Sequence, residues 1–209
     1  MNRKLFVMPL SVLTLLVFST VSTRSQTVVT FDDFVNTHPG NATFITNSYQ
    51  GLTWSNFAVL NAVLDKPING LSGYYYGTVT PSNVALNAFG APAEIDSTTN
   101  FSFLNVYLTD AWNSNLNIQV QGFRGATMLY DTTVVVSATS PTLFTFTYLN
   151  IDRLYFNSFG GEYAGFPGGS AEHFAMDNFT FEFVPEPSPL LLTAAGALLL
   201  WPLLKRKRA

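Results

Sequence analysis

The chain contains no cysteine among its 209 residues, and this absence limits how the protein is stabilised. Without thiols there is no disulfide framework, no thiolate metal site and no cysteine nucleophile. Common catalytic motifs are also missing, since the sequence has no Gly-x-Ser-x-Gly elbow, no His-Glu-x-x-His pair and no phosphate-binding glycine loop. Stability must therefore come from packing, for which 15% of the residues are aromatic, or from bound ions.

Basic residues are scarce between the two ends of the chain. Residues 26–184 contain twelve acidic residues and only three basic ones, Lys66, Arg124 and Arg153. Nucleic acid is excluded as a partner because its binding requires a cationic surface that displaces counterions from phosphates. Cations and neutral glycans remain compatible with this charge.

No helical period of ordinary length appears in the same region. Short alternating runs rich in Val, Thr, Phe and Tyr are separated instead by Gly, Pro, Asn and Asp, which is typical of strands and turns. Within residues 101–108 the apolar positions change parity after Phe103, which predicts a β-bulge or a transfer between sheets. The predicted strands are residues 28–33, 51–59, 74–79, 84–87, 93–96, 101–108, 116–123, 127–136, 143–148, 151–157 and 174–183.

These strands predict the fold class and the domain organisation. About ten short strands with frequent turn signals favour an all-β, jelly-roll-type β-sandwich over residues 26–183. The glycine-rich stretch 160–170 is long for a compact sandwich, so we interpret it either as a flap over a binding face or as a disordered excursion.

The first 25 residues are typical of a secretory signal peptide. A short basic start that includes Arg3 and Lys4 precedes a mostly apolar run over residues 5–21, and small polar residues follow it. Cleavage is predicted after Ser22 or Ser25. The following domain is therefore expected outside the cytoplasmic membrane.

The last 26 residues, 184–209, also form a targeting segment. Pro185, Glu186 and Pro187 make an extended spacer, because the two prolines oppose both strand and helix. Residues 190–204 form a 15-residue apolar run, which as a helix spans about 22 Å against a hydrocarbon core of about 30 Å. By the positive-inside rule the cytoplasmic side holds the terminal cations, Lys205, Arg206, Lys207 and Arg208.

This order of motif, single hydrophobic transmembrane helix and basic end resembles the PEP-CTERM sorting signal. The resemblance implies that an exosortase in the membrane recognises Pro185, Glu186 and Pro187 and removes the tail, which leaves the protein at the cell surface or outside the cell. An ordinary tail anchor or a buried C-terminal helix is the alternative. Looser motifs across residues 31–183 resemble the exported jelly-roll domains often joined to such tails, which implies association with exopolysaccharide.

Two aspartates suggest a calcium site. If Val29 and Phe31 face inward, strand alternation also places Asp33 inward, and the same argument from the phenylalanines of the last strand places Asp177 inward. If the first and last strands are neighbours, Asp33, Asp177 and Asn178 share one structural Ca²⁺ ion, the oxygen-preferring cation that is plentiful outside cells. The alternative is that each aspartate caps a turn through backbone N–H groups.

Three consecutive tyrosines, Tyr74, Tyr75 and Tyr76, are the candidate glycan contacts. A strand at residues 74–79 would expose at least one of these rings, and a flat aromatic surface stacks well against a pyranose. Core packing of the aromatic residues is the alternative, since large rings dominate sandwich interiors.

The sequence therefore favours a non-catalytic glycan- or matrix-associated module. The alternative is a secreted carbohydrate-active hydrolase that uses paired carboxylates, for example Glu162 or Glu172 with Asp177. His173 is considered as a general base beside Glu172, although a solvated loop histidine is the simpler interpretation.

Overall fold

The structure is a computed structural model that describes residues 25–35, 38–46, 48–167, 169 and 171–185. Residues 1–24 and 186–209, which include most of the expected signal peptide and sorting signal, lie outside these ranges. Among the residues that are described, no helix has the length and apolar character needed to cross a membrane.

The described chain contains twelve strands, two short α-helices and a 3₁₀ turn at Ala88–Gly90. The strands pair antiparallel in the order β2-β4-β5-β12-β6-β10-β8-β9, while β1 adds to β12, β3 adds to β6, and β7 pairs with β11. The elements are β1 (Gln26–Val29), β2 (Thr43–Phe44), β3 (Thr53–Ser55), β4 (Phe57–Asn61), α1 (Ala62–Asn69), α2 (Gly73–Tyr76), β5 (Asn83–Asn87), β6 (Ala93–Asp110), β7 (Asn113–Ser114), β8 (Leu116–Arg124), β9 (Thr127–Val136), β10 (Thr142–Phe159), β11 (Glu162–Tyr163) and β12 (Phe174–Phe183).

The expected all-β sandwich is confirmed. Side chains from both ends of the strand order meet in one apolar core, so that Val59 of β4 and Val136 of β9 belong to the same cluster. The 18-residue strands β6 and β10 were predicted as two strands each, and both are continuous. Positive φ angles at Thr147 (52°) and Asn150 (58°) accompany the register shifts of β10, so the strand bends without ending.

Two irregularities set the side-chain parity. The predicted bulge in β6 is confirmed, because its registers with β10 and with β12 both shift between Phe103 and Asn105. In β12 a second bulge falls at Asn178, whose φ is 50°. Because of this bulge, Phe181 faces the core. Asp177, which precedes the bulge, points to the opposite side of the sheet from its core-facing neighbour Met176.

A second apolar cluster lies on that opposite side, between the sheet and the two helices. It contains Leu60, Leu86 and Ala175 from the strands together with Tyr74 and Trp112. The expectation of a strand at residues 74–79 is wrong, because residues 73–76 form α2. The sequence analysis also missed α1, whose N-cap side chain accepts a hydrogen bond from Leu64 N at 2.9 Å.

Gly73 permits the close approach of α2 to the end of β6. A Cβ atom at this position would lie 1.6 Å from the backbone oxygen of Asp110. The Gly73 N–H also donates to the Ala111 carbonyl at 2.9 Å. Only glycine therefore allows this contact, and it fixes where Tyr74 lies.

We expect Gly73→Ala to lower the free energy of unfolding by about 3 kcal/mol, the upper range for overpacking, because the clash is with backbone that cannot rotate away. Gly125→Ala is the matched control, since its Cβ would meet nothing within 4 Å and only its φ of 55° is unfavourable. We expect this control to cost about 1 kcal/mol. Chemical denaturation of both variants tests the assignment, and equal losses would contradict it.

Candidate binding cleft

An open hollow of about 410 Å³ lies beside the second apolar cluster, and we call it the aromatic cleft. Its size falls within the range of about 300–1,000 Å³ that is typical of small-molecule sites. Three ring side chains converge there from distant parts of the sequence. The lining residues are Gly40, Ala42, Leu60, Asn69, Tyr74, Leu86, Trp112, Gly169, Ala171 and His173.

The turn after β6 positions Trp112. Asp110 is fully buried, and its Oδ1 accepts from the N–H groups of Trp112 at 3.0 Å and Asn113 at 2.8 Å. Burial raises the pKa of Asp110 to about 6, against the opposing effect of these backbone hydrogen bonds. Its Oδ2 is buried without a hydrogen-bond partner, so burial of this carboxyl group lowers the free energy of unfolding.

His173 joins the two aromatic side chains of the cleft. Its Nδ1 lies 2.8 Å from the Tyr74 hydroxyl and 3.3 Å from Trp112 Nε1, which is a donor only. Nδ1 must therefore accept, and the neutral ring carries its proton on Nε2. Burial lowers the pKa of His173, although a hydrogen bond with the Phe89 backbone opposes this effect. The interpretation of His173 as a solvated loop residue is wrong.

The three tyrosines occupy different environments. Tyr74 is 4% exposed and packs edge-on against Trp112, with ring centroids 5.3 Å apart. Burial raises the pKa of its hydroxyl. Tyr75 and Tyr76 are half-buried, and Lys66 Nζ lies 4.6 Å from the centre of the Tyr75 ring. Core packing therefore accounts for Tyr74, while the other two rings remain accessible.

The glycine-rich stretch lies over the cleft. A Cβ on Gly169 would fall 2.5 Å from the Trp112 indole, so the glycine backbone covers this ring closely. The Ala164 N–H donates to the Trp112 carbonyl at 2.9 Å, and β11 pairs with β7 beside it. These contacts favour the flap interpretation over the disordered excursion. Residues 168 and 170 lie outside the described residues.

The structure does not bring Asp33 to the core face. The predicted neighbours β1 and β12 do pair, but β1 ends at Val29, and Phe31 adopts a φ of 62°. The chain then turns, so strand alternation no longer applies to Asp33. This side chain is exposed and accepts from the Tyr49 hydroxyl at 2.6 Å.

Asp177 is buried as expected, but beneath the turn that follows α2. Its Oδ2 accepts from the N–H groups of Val79 at 2.7 Å and Thr80 at 2.9 Å, and its Oδ1 from that of Asn178 at 2.7 Å. Burial raises the pKa of Asp177 to about 6, against the effect of these hydrogen bonds. The contacts are those of a turn cap.

The described residues include no cluster of three or more His, Cys, Asp or Glu side chains that could hold a metal ion. The calcium site at Asp33, Asp177 and Asn178 stays a prediction, which thermal unfolding in calcium and in a chelator tests. A shared site requires a higher melting temperature in calcium, and Asp177→Asn must abolish that increase.

The carboxylates of the hydrolase alternative do not share an open cleft. Asp177 has no exposed surface, so a substrate cannot reach it. Glu172 is exposed, and its Oε1 accepts from the Gly160 N–H at 2.7 Å. Glu162 lies exposed in β11.

No protein-family model matches the chain, and no curated protein matches it significantly. Its structure is similar to that of a DUF4465 family protein from Bacteroides ovatus, with a TM-score of 0.50 and 11% identity over 76% of this chain and 99% of the other. Two weaker likenesses have a TM-score of 0.33. TmCBM61 in complex with β-1,4-galactotriose is 10% identical over 73% of this chain and 100% of the other. A CBM4 structure is 14% identical over 68% of this chain and 100% of the other. The first likeness shows a shared fold alone.

We expect His173 to make stability depend on pH. Its pKa is lowered in the folded state, so the unfolded chain binds a proton at a higher pH than the folded chain does. The contribution of neutral His173 to the free energy of unfolding is therefore fully present above pH about 6.5 and is lost as the pH falls below that value. Each unit by which the pKa is lowered is worth about 1.4 kcal/mol. Acidification from pH 7.5 to pH 5 should therefore destabilise the wild type more than His173→Asn.

The comparison uses two chains that both contain Asp110 and Asp177, so the opposite contributions of these carboxyls cancel. Nitrogen-15 shifts of the imidazole ring give an independent check, because we expect the Nε2-protonated tautomer at neutral pH. A proton on Nδ1 at pH 7, or equal pH dependence of the two chains, would contradict the assignment.

Proposed function

We propose that this chain is an exported surface or matrix protein whose β-sandwich binds carbohydrate without catalysing a reaction. The ligand contacts are placed at the aromatic cleft and at the accessible rings of Tyr75 and Tyr76 beside it. Exopolysaccharide is the proposed matrix ligand, and an exosortase is the proposed processing partner.

The observation that carries the binding proposal is the composition of the cleft and of its rim. The half-buried rings of Tyr75 and Tyr76 stand beside an open hollow of about 410 Å³ on a domain whose charge disfavours polyanions, whereas Tyr74 and Trp112 in its wall are each only 4% exposed. Aromatic faces contact the apolar face of a sugar ring, and neighbouring amide and imidazole groups bond its hydroxyls. Asn69 supplies such a group in the lining, whereas both ring nitrogens of His173 are already hydrogen-bonded within the protein.

The same composition supports binding over hydrolysis. A glycosidase needs two carboxyl groups placed on either side of the scissile bond. The cleft lining contains no Asp or Glu, and the Nδ1 atom of its histidine is already engaged by Tyr74 and Trp112. The residues that line the hollow therefore provide contacts and no acid–base pair.

The boundary of the domain supports processing at the tail. The Val184 N–H donates to the Asn100 carbonyl at 2.8 Å, and the next residue, Pro185, is exposed. The first residue of the recognition motif is therefore accessible to solvent at the end of the sandwich. Glu186 and Pro187 lie outside the described residues, so this part of the proposal rests on the sequence resemblance.

We expect the protein to bind at least one neutral polysaccharide and Tyr76→Ala to weaken binding about tenfold, or about 1.4 kcal/mol, because a half-buried stacking ring is lost. Phe44→Ala is the control, since this ring is 53% exposed and is not one of the proposed ligand contacts. Calorimetric titration measures the affinities, and chromogenic glycosides test for turnover. Turnover, or equal losses in the two variants, would refute binding at the cleft.

We expect co-expression with an exosortase to remove the C-terminal residues Lys205, Arg206, Lys207 and Arg208, since the Pro-Glu-Pro motif precedes a short apolar segment and a basic end. Intact-mass measurement of the cell-surface fraction gives the readout. Glu186→Ala should block cleavage, while Ser188→Ala, one residue beyond the motif, should not. An intact tail in the competent host would refute processing.

A further inference from the structure

The side of the sheet that faces away from the sandwich core, on β3, β6, β10, β8 and β9, carries an ordered array of polar and aromatic side chains. Strand alternation separates it from the core. Ile118 and Val120 of β8 are buried in the core, whereas Gln119 and Gln121, which alternate with them, point outward. We call this surface the outer platform.

Register aligns the platform in rows across five strands. Ser55 pairs with Glu94, Glu94 with Tyr155, Tyr155 with Gln121, and Gln121 with Asp131. Directly paired residues point to the same face, so these five side chains form one row. With strands about 4.8 Å apart, the row is about 19 Å long, which suits an oligosaccharide better than a single sugar.

The amide groups of the platform are held in fixed orientations. Gln119 Nε2 donates to Asp131 Oδ1 at 3.0 Å, and Gln121 Nε2 donates to Asp131 Oδ2 at 3.1 Å. Because the NH₂ groups are used within the protein, the carbonyl oxygens of both amides are left as acceptors for an external donor.

A hollow of about 350 Å³ lies in the middle of the platform and is lined by Glu94, Gln121, Phe123, Arg153 and Tyr155. The Arg153 guanidinium stacks on Phe123, with Cζ 4.2 Å from the ring centre. Arg153 Nε is buried without a hydrogen-bond partner, which is costly for a charged donor. The hollow therefore combines a donor that lacks a partner, two kinds of acceptor and aromatic surface.

The charges around the hollow select the ligand class. Glu94 lines the hollow together with Arg153, Asp96 pairs with Arg153 across β6 and β10, and Asp131 ends the row, so three carboxylates accompany the one cation of the lining. An anionic ligand would be repelled by these carboxylates. A sugar hydroxyl both donates and accepts, so vicinal hydroxyls of a neutral sugar bond Glu94 and the part of the Arg153 guanidinium that lines the hollow.

We propose that the outer platform is a second carbohydrate site, in which a neutral oligosaccharide lies across β6, β10 and β8 with one residue in the hollow formed by Glu94, Gln121, Arg153 and Tyr155. The ligand class, a neutral carbohydrate, rests on the proposed function, but it binds here at a separate surface. This second site does not depend on the aromatic cleft.

Calorimetric titration of the full chain, in a detergent without a sugar headgroup, tests the site against maltotriose, cellotriose, xylotriose and β-1,4-galactotriose, with trigalacturonate as the anionic probe. Tyr155→Ala and Gln121→Ala each remove a platform contact. Tyr107→Ala is the matched control, because this half-buried tyrosine also points away from the core but lies near the other end of β6. Denaturation midpoints verify that each variant is folded.

We expect both platform variants to lower the affinity for one of the neutral probes at least tenfold, Tyr107→Ala to leave it unchanged, and trigalacturonate not to bind. If Tyr76→Ala lowers the affinity and the platform variants do not, the inference is overturned while the cleft proposal stands. If only the platform variants lose affinity, binding at the platform is supported and binding at the aromatic cleft is overturned. Absence of binding to every neutral probe, or preference for trigalacturonate, overturns the inference.

Discussion

The left-handed backbone of Asn178 (φ 50°) decides how the last strand divides its side chains between the two sides of the sheet. Met176 and Phe181 both reach the sandwich core although their spacing is odd, because the bulge adds one residue between them. Ala175 meets the second apolar cluster, and Asp177 is directed to the same side. Asp177 then binds the backbone of residues 79 and 80, which anchors the chain that follows α2. Both the helical layer and the cleft beside it depend on this parity.

Two buried carboxylates of this acidic domain, Asp110 and Asp177, are held by backbone donors. Asp110 and Asp177 each have a pKa raised to about 6, and each accepts two or more backbone N–H groups. With three cations between residues 26 and 184, ion pairs could not serve every acidic side chain. Backbone N–H groups are available regardless of the number of basic side chains. Their hydrogen bonds to a buried carboxylate also hold the donating loop in place. Each of these two aspartates is thus costly in itself, yet Asp110 holds the turn that positions Trp112 in the cleft and Asp177 holds the turn that follows α2.

The sequence predicted strands best where apolar alternation was unbroken. The bounds of β12 and β9 agree with the prediction, and the parity change after Phe103 marks a real bulge. Prediction failed where a contact between residues distant in sequence determined the backbone conformation. Gly73 enters α2 because it lies against Asp110, and nothing in the run of three tyrosines reveals this neighbour. Alternation likewise misplaced Asp33, because the turn at Phe31 ends the strand that the argument assumed.

Candidate site residues were predictable by type but not by location. The three tyrosines were candidates because of their residue type, yet the pairing of Tyr74 with Trp112 and His173 joins residues up to 99 positions apart. The alternating amides of β8 were visible in the sequence, but only strand register shows that Gln121 stands between Tyr155 and Asp131. The two surfaces also differ in how they are held. The cleft is formed by a short helix and a glycine-rich segment, whereas the platform stands on paired strands whose opposite face is the core, so its geometry is fixed by the same packing that stabilises the domain.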